Sequence, residues 1–262
     1  MLPLSDLQKS LRAKASPAKA KLYASFFKTA PGQYGHGDIF LGLTAPEQRS
    51  IAKNFYHLPL ADIQKLLKSK IHEERFTALV ILVHQFTYAD KCTLSPSARP
   101  ARSTRSSEAG GEGAHGGEGE TTQKQIYTFY LKNATRVNNW DLVDTSAPQI
   151  VGDSLINKPK NILTKLARSP NLWERRIAIL ATLTFIRHNE FKETIHLAKL
   201  LLNDQHDLIH KAVGWMLREV GKKSEPTLKK FLNNHHRAMP RTMLRYAIEK
   251  LSKTERKKYL KK

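Results

Sequence analysis

Apolar residues recur at three- and four-residue intervals along almost the whole of this 262-residue chain. At roughly 100° per residue, that spacing gathers them onto one face of an α-helix. The alternation of a half-buried strand is absent, and Val, Ile and Thr do not cluster into short runs. The pattern predicts helices over 5–15, 17–29, 45–57, 60–68, 71–88, 122–135, 139–156, 158–168, 170–187, 190–202, 205–221, 225–235 and 240–251. Several starts are marked. Ser16-Pro17 and Ser169-Pro170 each place a cap before a proline suited to the first helical turn. Thr44-Ala45-Pro46-Glu47 has the form of a capping box.

The expected fold is therefore all-α. Consecutive helical pairs joined by short connections cannot bury their apolar faces alone and must stack. A unit of about 35–45 residues fits HEAT-like repeats forming a curved α-solenoid. Self-similarity in the sequence is weak, so a compact helical bundle is the competing architecture. Residues 93–121 break the pattern, running from Ser95-Pro96 into a Gly/Ser/Glu-rich stretch that ends at Glu120. So few apolar residues cannot supply a core, and a disordered loop inserted in a single domain of residues 1–262 is expected. Arg99, Arg102 and Arg105 in it suit a solvated linker better than a binding site.

Composition narrows the function. No stretch approaches the roughly 20 apolar residues of a membrane helix. Met1 to Ala20 holds four lysines and arginines but no apolar segment of a secretory signal. Cys92 is the only cysteine, which excludes an intrachain disulfide and cysteine-rich zinc sites and suggests a cytoplasmic protein. None of the 11 histidines lies in HExxH spacing, so no metal is expected. Gly32, Gly35 and Gly37 lack the preceding strand of a phosphate-binding loop, and no Gly-x-Ser-x-Gly elbow occurs. The net charge is +21, and it is lopsided. Residues 1–121 carry 16 basic and 11 acidic residues, whereas 122–262 carry 28 and 12. A basic half points first to nucleic acid.

Three helices carry residues that packing alone does not explain. In Asn139-Trp140-Asp141-Leu142-Val143-Asp144, one stripe holds Trp140, Val143, Asp144, Ala147 and Val151. Asp144 thus stands among apolar neighbours one turn from a tryptophan. Such a carboxylate needs a partner, as a cap or against an arginine of the next helix, or it serves a purpose. Pro148 predicts a kink just beyond it. In Asn171-Leu172-Trp173-Glu174-Arg175-Arg176, Trp173 belongs to the core stripe. Arg176 flanks that stripe, placed to meet a carboxylate or a phosphate, and Arg175 points further towards solvent. In the segment from His210 to Glu219, Trp215 lies roughly 140° from the core stripe and shares that side with Lys211 and Arg218. An off-core aromatic flanked by cations is the composition of a nucleic-acid contact surface, although burial against a neighbouring repeat is equally expected.

These segments resemble the AlkD-type family of DNA alkylation repair glycosylases. The resemblance rests on Phe40-Leu41-Gly42-Leu43 with Pro46 and Arg49, Asn139 to Asp144, Val151-Gly152-Asp153, Asn171 to Arg176, and Lys211 to Glu219. It covers nearly the whole chain outside 93–121. It implies HEAT-like repeats around a basic groove for duplex DNA, and excision of positively charged N-alkylated purines such as 3-methyladenine and 7-methylguanine. It implies that the damaged base is not sunk in a deep pocket. It makes Asp144 the catalytic carboxylate, Trp140 and Trp215 the aromatic pair at the damaged nucleotide, Arg176 the active-site arginine and Arg218 a phosphate contact. Arg175, Arg176, Lys211 and Arg218 form the expected DNA-binding set. No cofactor, no lyase step and no obligate protein partner are expected, and a monomer is. The alternatives are a non-catalytic DNA-binding scaffold and a HEAT-type protein-interaction scaffold.

Overall fold

The computed structural model describes the backbone of residues 2–94 and 118–261, and the side chains of 2–89 and 122–261. The described residues fold into 14 α-helices. The inserted loop falls largely outside the described residues, but its two ends are helical. Helix α5 runs His72–Leu94, and α6 begins at Glu118 and runs to Lys132. Before them come α1 (Leu4–Ala13), α2 (Pro17–Phe26), α3 (Ala45–Ala52) and α4 (Leu60–Leu67). After them come α7 (Trp140–Ala147), α8 (Asn161–Ala167), α9 (Leu172–Arg187), α10 (Lys192–Leu200), α11 (Asp207–Lys223), α12 (Glu225–His235), α13 (Arg241–Ala247) and α14 (Lys253–Leu260). No helix among the described residues is long and apolar enough to cross a membrane.

Five helices form a row in which each packs on the next: α5 on α7, α7 on α9, α9 on α11 and α11 on α13. A second set backs that row, with α4 and α6 against α5, α8 and α10 against α9, and α12 against α11. One continuous apolar core runs between them, from Leu7 and Leu11 to Leu251 and Tyr259.

Three of the five row helices enter through one repeated turn. The Ser69 hydroxyl accepts the Ile71 N–H at 3.0 Å, and Arg75 donates to the Ser69 carbonyl at 2.7 Å. The Ser169 hydroxyl accepts the Asn171 N–H at 3.0 Å, and Arg175 donates to the Ser169 carbonyl at 3.1 Å. In the third copy the Asp204 carboxylate accepts the His206 N–H at 2.8 Å, and His210 Nε2 donates to the Asp204 carbonyl. Each copy sets the entry angle of a row helix, α5, α9 or α11. The repetition lies in backbone geometry and in two or three polar positions, which is why it is faint in the sequence.

Local signals explain most boundaries. Glu47 accepts from both the N–H and the hydroxyl of Thr44, at 2.7 and 2.6 Å, so the capping box at α3 is present. The start of α9 differs from expectation. Asn171, not Ser169, is the cap, and its side-chain oxygen accepts the N–H groups of Trp173 and Glu174. Ser169 is consumed by the repeated turn. Pro148 does more than kink α7. It ends the helix and opens a π-helical turn, Pro148–Gly152, because a proline has no N–H for the ladder. Thr184 Oγ1 donates to the Pro148 carbonyl at 2.8 Å and ties the turn to α9. Helix α14 was not anticipated. It is highly polar, with Tyr259 as its one buried side chain. The Tyr259 hydroxyl donates to Asn233 Oδ1 at 2.9 Å.

Candidate functional site

The N-terminal ends of α7, α9 and α11 converge on an open cleft of about 750 Å³. Asn139 caps α7 by accepting the Trp140 N–H at 2.8 Å, which fixes Trp140 at the first helical position. One turn later Asp144 faces the same cleft. Val143, Ala147 and Val151 of the predicted stripe are buried behind it.

Asp144 is held by Arg176 of α9. The guanidinium Nε donates to Oδ1 and Nη2 to Oδ2, both at 2.9 Å. This is the planar two-bond pairing that arginine makes best. Arg176 is only 4% exposed. Its remaining nitrogen, Nη1, donates to the Leu208 carbonyl at the start of α11, at 2.7 Å. Arg176 therefore fixes the carboxylate and also joins three row helices. Burial pushes the Asp144 carboxyl above its ordinary value, and the Arg176 charge opposes that push. An arginine partner exists, on α9 rather than on the next helix α8, and it leaves the carboxylate facing the cleft.

Across the cleft stand Trp215 and Lys211 of α11 and Tyr246 of α13. Gly214 makes that wall possible. A Cβ there would lie 2.5 Å from the Met243 carbonyl and 2.5 Å from Tyr246 Cβ, so only glycine lets α11 and α13 approach this closely. Trp215 is half-buried, and its indole N–H donates to Glu219 at 3.1 Å. Lys211 pairs with Asp207 at 2.8 Å, a bond that raises the lysine and lowers the carboxylate.

The cleft thus gathers Trp140, Asp144, Arg176, Lys211 and Trp215 from the expected set. Two members lie elsewhere. Arg175 does not face solvent. Its Nε pairs with Asp204 at 2.7 Å and its Nη1 donates to the Ser169 and Pro170 carbonyls, because it is the tether of the repeated turn. Arg218 does not line the cleft. It bridges Glu249 and Glu219. Sequence reasoning missed Phe26, Lys28, Tyr34 and Tyr246, which also line it. Phe26 is 60% exposed, an unusual setting for a phenylalanine at the end of a short helix. Burial raises the Tyr34 hydroxyl, against the opposing effects of Trp140, Lys211 and Arg176.

Behind α7, His72 is buried between two carboxylates. Its Nε2 lies 2.8 Å from Asp141 and its Nδ1 3.4 Å from Asp38, which also pairs with Arg75 at 2.7 Å. Burial works to lower the imidazole, but Asp141 and Asp38 overcome it and hold the pKa at about 9. The chain 38, 72, 141 links the segment before α3 to α5 and α7 and braces the base of Trp140.

Arranged this way, the cleft can receive a polyanion on its lysines, lay aromatic faces against a base or sugar, and place one oriented carboxylate beside a developing positive charge. Comparison with known proteins agrees with a DNA-directed role. The model of the family described as "DNA alkylation repair enzyme" matches residues 7–251. None of the curated proteins compared matches the chain. Among solved structures, a predicted DNA alkylation repair enzyme from Enterococcus faecalis superposes with a TM-score of 0.64 at 16% identity, covering 91% of this chain and 97% of that one. AlkD2 from Streptococcus mutans superposes with a TM-score of 0.53 at 16% identity, covering 89% and 99%. At that identity the two structures speak to the fold alone. The match over residues 7–251 does more, and the chain belongs to the DNA alkylation repair enzyme family.

Proposed function

We propose that this protein is a monofunctional DNA glycosylase, a single monomeric HEAT-like domain in the cytoplasm that removes cationic N-alkylated purines from duplex DNA without a cofactor. The observation that carries this reading is the Asp144 carboxylate, gripped through both oxygens by a buried arginine and aimed into a cleft lined by Trp140, Trp215, Lys28 and Lys211. The lysines hold the phosphate backbone and give register without sequence preference. Alkylation places a positive charge on the base. When the C1′–N bond breaks, the bonding pair leaves with the base and neutralises it, and positive charge passes to the sugar. Asp144 stabilises that charge. It then accepts a proton from the water that attacks C1′. The base departs already activated, so a strong general acid is unnecessary. The faces of Trp140 and Trp215 favour cationic character in the lesion and in the transition state.

The test is release of 7-methylguanine from methylated duplex DNA by the wild type and by Asp144→Asn. The expected outcome is release by the wild type, and a loss of at least about 10²-fold in a variant that still binds DNA. A folded, DNA-binding wild type that releases neither 7-methylguanine nor 3-methyladenine would overturn the reading and leave a DNA-binding scaffold.

A further inference from the structure

The helices that back the row carry a groove that shares no residue with the cleft. It has a volume of about 590 Å³ and lies between α10 and α12, both of which pack on α11. Each of the two helices gives it one face. Lys192, Ile195, His196 and Lys199 follow at three- and four-residue steps on α10, and Thr227, Lys230, Phe231 and Asn234 do the same on α12. Phe231 is buried and Phe191 and Ile195 are half-buried, so these three form an apolar floor. The lysines are exposed and stand at the rim.

The charge of the groove is one-sided. No carboxylate lines it, and among the described residues none of Lys192, Lys199 and Lys230 pairs with one. Other hollows of the molecule differ. The cleft holds Asp144 and Asp207 beside its lysines, and the hollow between α6 and α8 holds Glu174 beside Lys132 and Lys165. Nor do these helices lack acid. Glu193 of α10 and Glu225 of α12 both lie outside the lining. Lys229, the neighbour of Lys230 in sequence, pairs with Glu225 and Glu255, and Lys160 pairs with Glu190 at 3.7 Å. Lysines that face elsewhere are neutralised, and those at the groove are not. A rim of unpaired cations around an uncharged floor complements a segment that is acidic at its edges and apolar at its centre. Nucleic acid fits less well. Bases stack on exposed rings, whereas Phe231 is buried and already in contact with the His235 ring at 4.8 Å. Arginine, which holds phosphate through two bonds, is absent from the lining.

We propose that this groove is a docking site for an acidic peptide segment of a partner protein. The segment seats a leucine or an aromatic side chain on Phe191, Ile195 and Phe231, and its carboxylates meet Lys192, Lys199 and Lys230. Docking is reversible and compatible with an occupied cleft, since no residue lines both sites. It stands independently of the glycosylase reading.

The probe is a phage-displayed library of random peptides of about 12 residues, selected on the full chain. Selection is expected to enrich peptides that carry several Asp or Glu residues around a Leu, Phe or Trp. The most enriched one, synthesised with a fluorescent label, is then titrated by anisotropy. The triple variant Lys192→Gln, Lys199→Gln, Lys230→Gln changes exposed side chains only, and Ile195→Ser removes part of the floor. Each is expected to weaken binding at least about tenfold. Thermal unfolding separates loss of the site from loss of fold. Duplex DNA is expected not to displace the peptide, and the triple variant is expected to keep the wild-type salt dependence of DNA binding. Enrichment of no peptide or of peptides without acid, or unchanged affinity in the folded triple variant, overturns the site. Displacement by DNA, or a lower salt slope in the triple variant, overturns it in favour of a nucleic-acid surface. None of these outcomes depends on whether a base is released.

Discussion

Arg176 grips Asp144 through both carboxylate oxygens at 2.9 Å and spends its third hydrogen-bonding nitrogen on the Leu208 carbonyl at 2.7 Å, so the orientation of the carboxylate and the spacing of three helices are set by one side chain. Burial favours the neutral acid at Asp144, and Arg176 opposes this. Removing the arginine leaves burial and the Asp141 charge, both of which favour the neutral acid. In Arg176→Met the acid limb of the base-release profile is expected to move to higher pH, with the maximal rate reduced. Stability is expected to fall by about 2–3 kcal/mol, below the roughly 3–5 of a fully buried broken pair because Asp144 is 19% exposed. An unmoved acid limb in a folded variant would show that Arg176 does not tune Asp144.

Stability should depend on pH through His72. Its folded pKa is held at about 9 against an ordinary 6.5 by Asp141 and Asp38, with Arg75 and burial opposing. A group raised in the folded state contributes fully below its unfolded value and loses that contribution as pH rises through its folded one. Urea unfolding is expected to show stability declining between about pH 6.5 and 9. In His72→Gln, which cannot be protonated, the decline is expected to vanish. Equal slopes in the two proteins would remove His72 as the cause.

DNA binding should be salt-sensitive in a residue-specific way. Lys28→Ala and Lys211→Ala are each expected to reduce the slope of log affinity against log salt by about 1. Arg175→Ala is expected to leave that slope alone and to lower the unfolding temperature, because its donors serve the turn at Ser169 and Asp204. A reduced slope in Arg175→Ala, with unfolding unchanged, would return it to the DNA surface.

Gly214→Ala tests the far wall of the cleft. The added methyl must displace the Met243 carbonyl or the base of Tyr246. Overpacking of this kind costs about 1–3 kcal/mol. Weaker binding of alkylated DNA is expected alongside the stability loss, since α11 and α13 carry Trp215 and Tyr246. Full stability would mean that the two helices shift apart freely.

The helices were legible because their burial is periodic, and Trp173 could be assigned to the core and Trp215 to a non-core face from angle alone. Asp144 stood out because a carboxylate on an apolar stripe demands an explanation. Arg175 and Arg176 could not be told apart so simply. They are adjacent, and their separate roles depend on Asp204 and Asp144, which are distant in sequence. Phe26 and Tyr34 left no mark for the same reason, since each becomes significant only when its segment meets α7. The helix at Lys253–Leu260 escaped detection because a single buried tyrosine makes no period.

The repeated turn has a consequence for how such a protein can diversify. In each copy, one side chain is committed to locking the corner: Arg75, Arg175, His210. The next residue in line, Phe76, Arg176 or Lys211, is presented to the aromatic pocket beside Trp140 or to the cleft. Architecture and chemistry are therefore written on adjacent letters of the same word. Mutation can respell the second letter, exchanging a stacking ring for a clamp or a clamp for a phosphate anchor, while the corner that holds it keeps its shape.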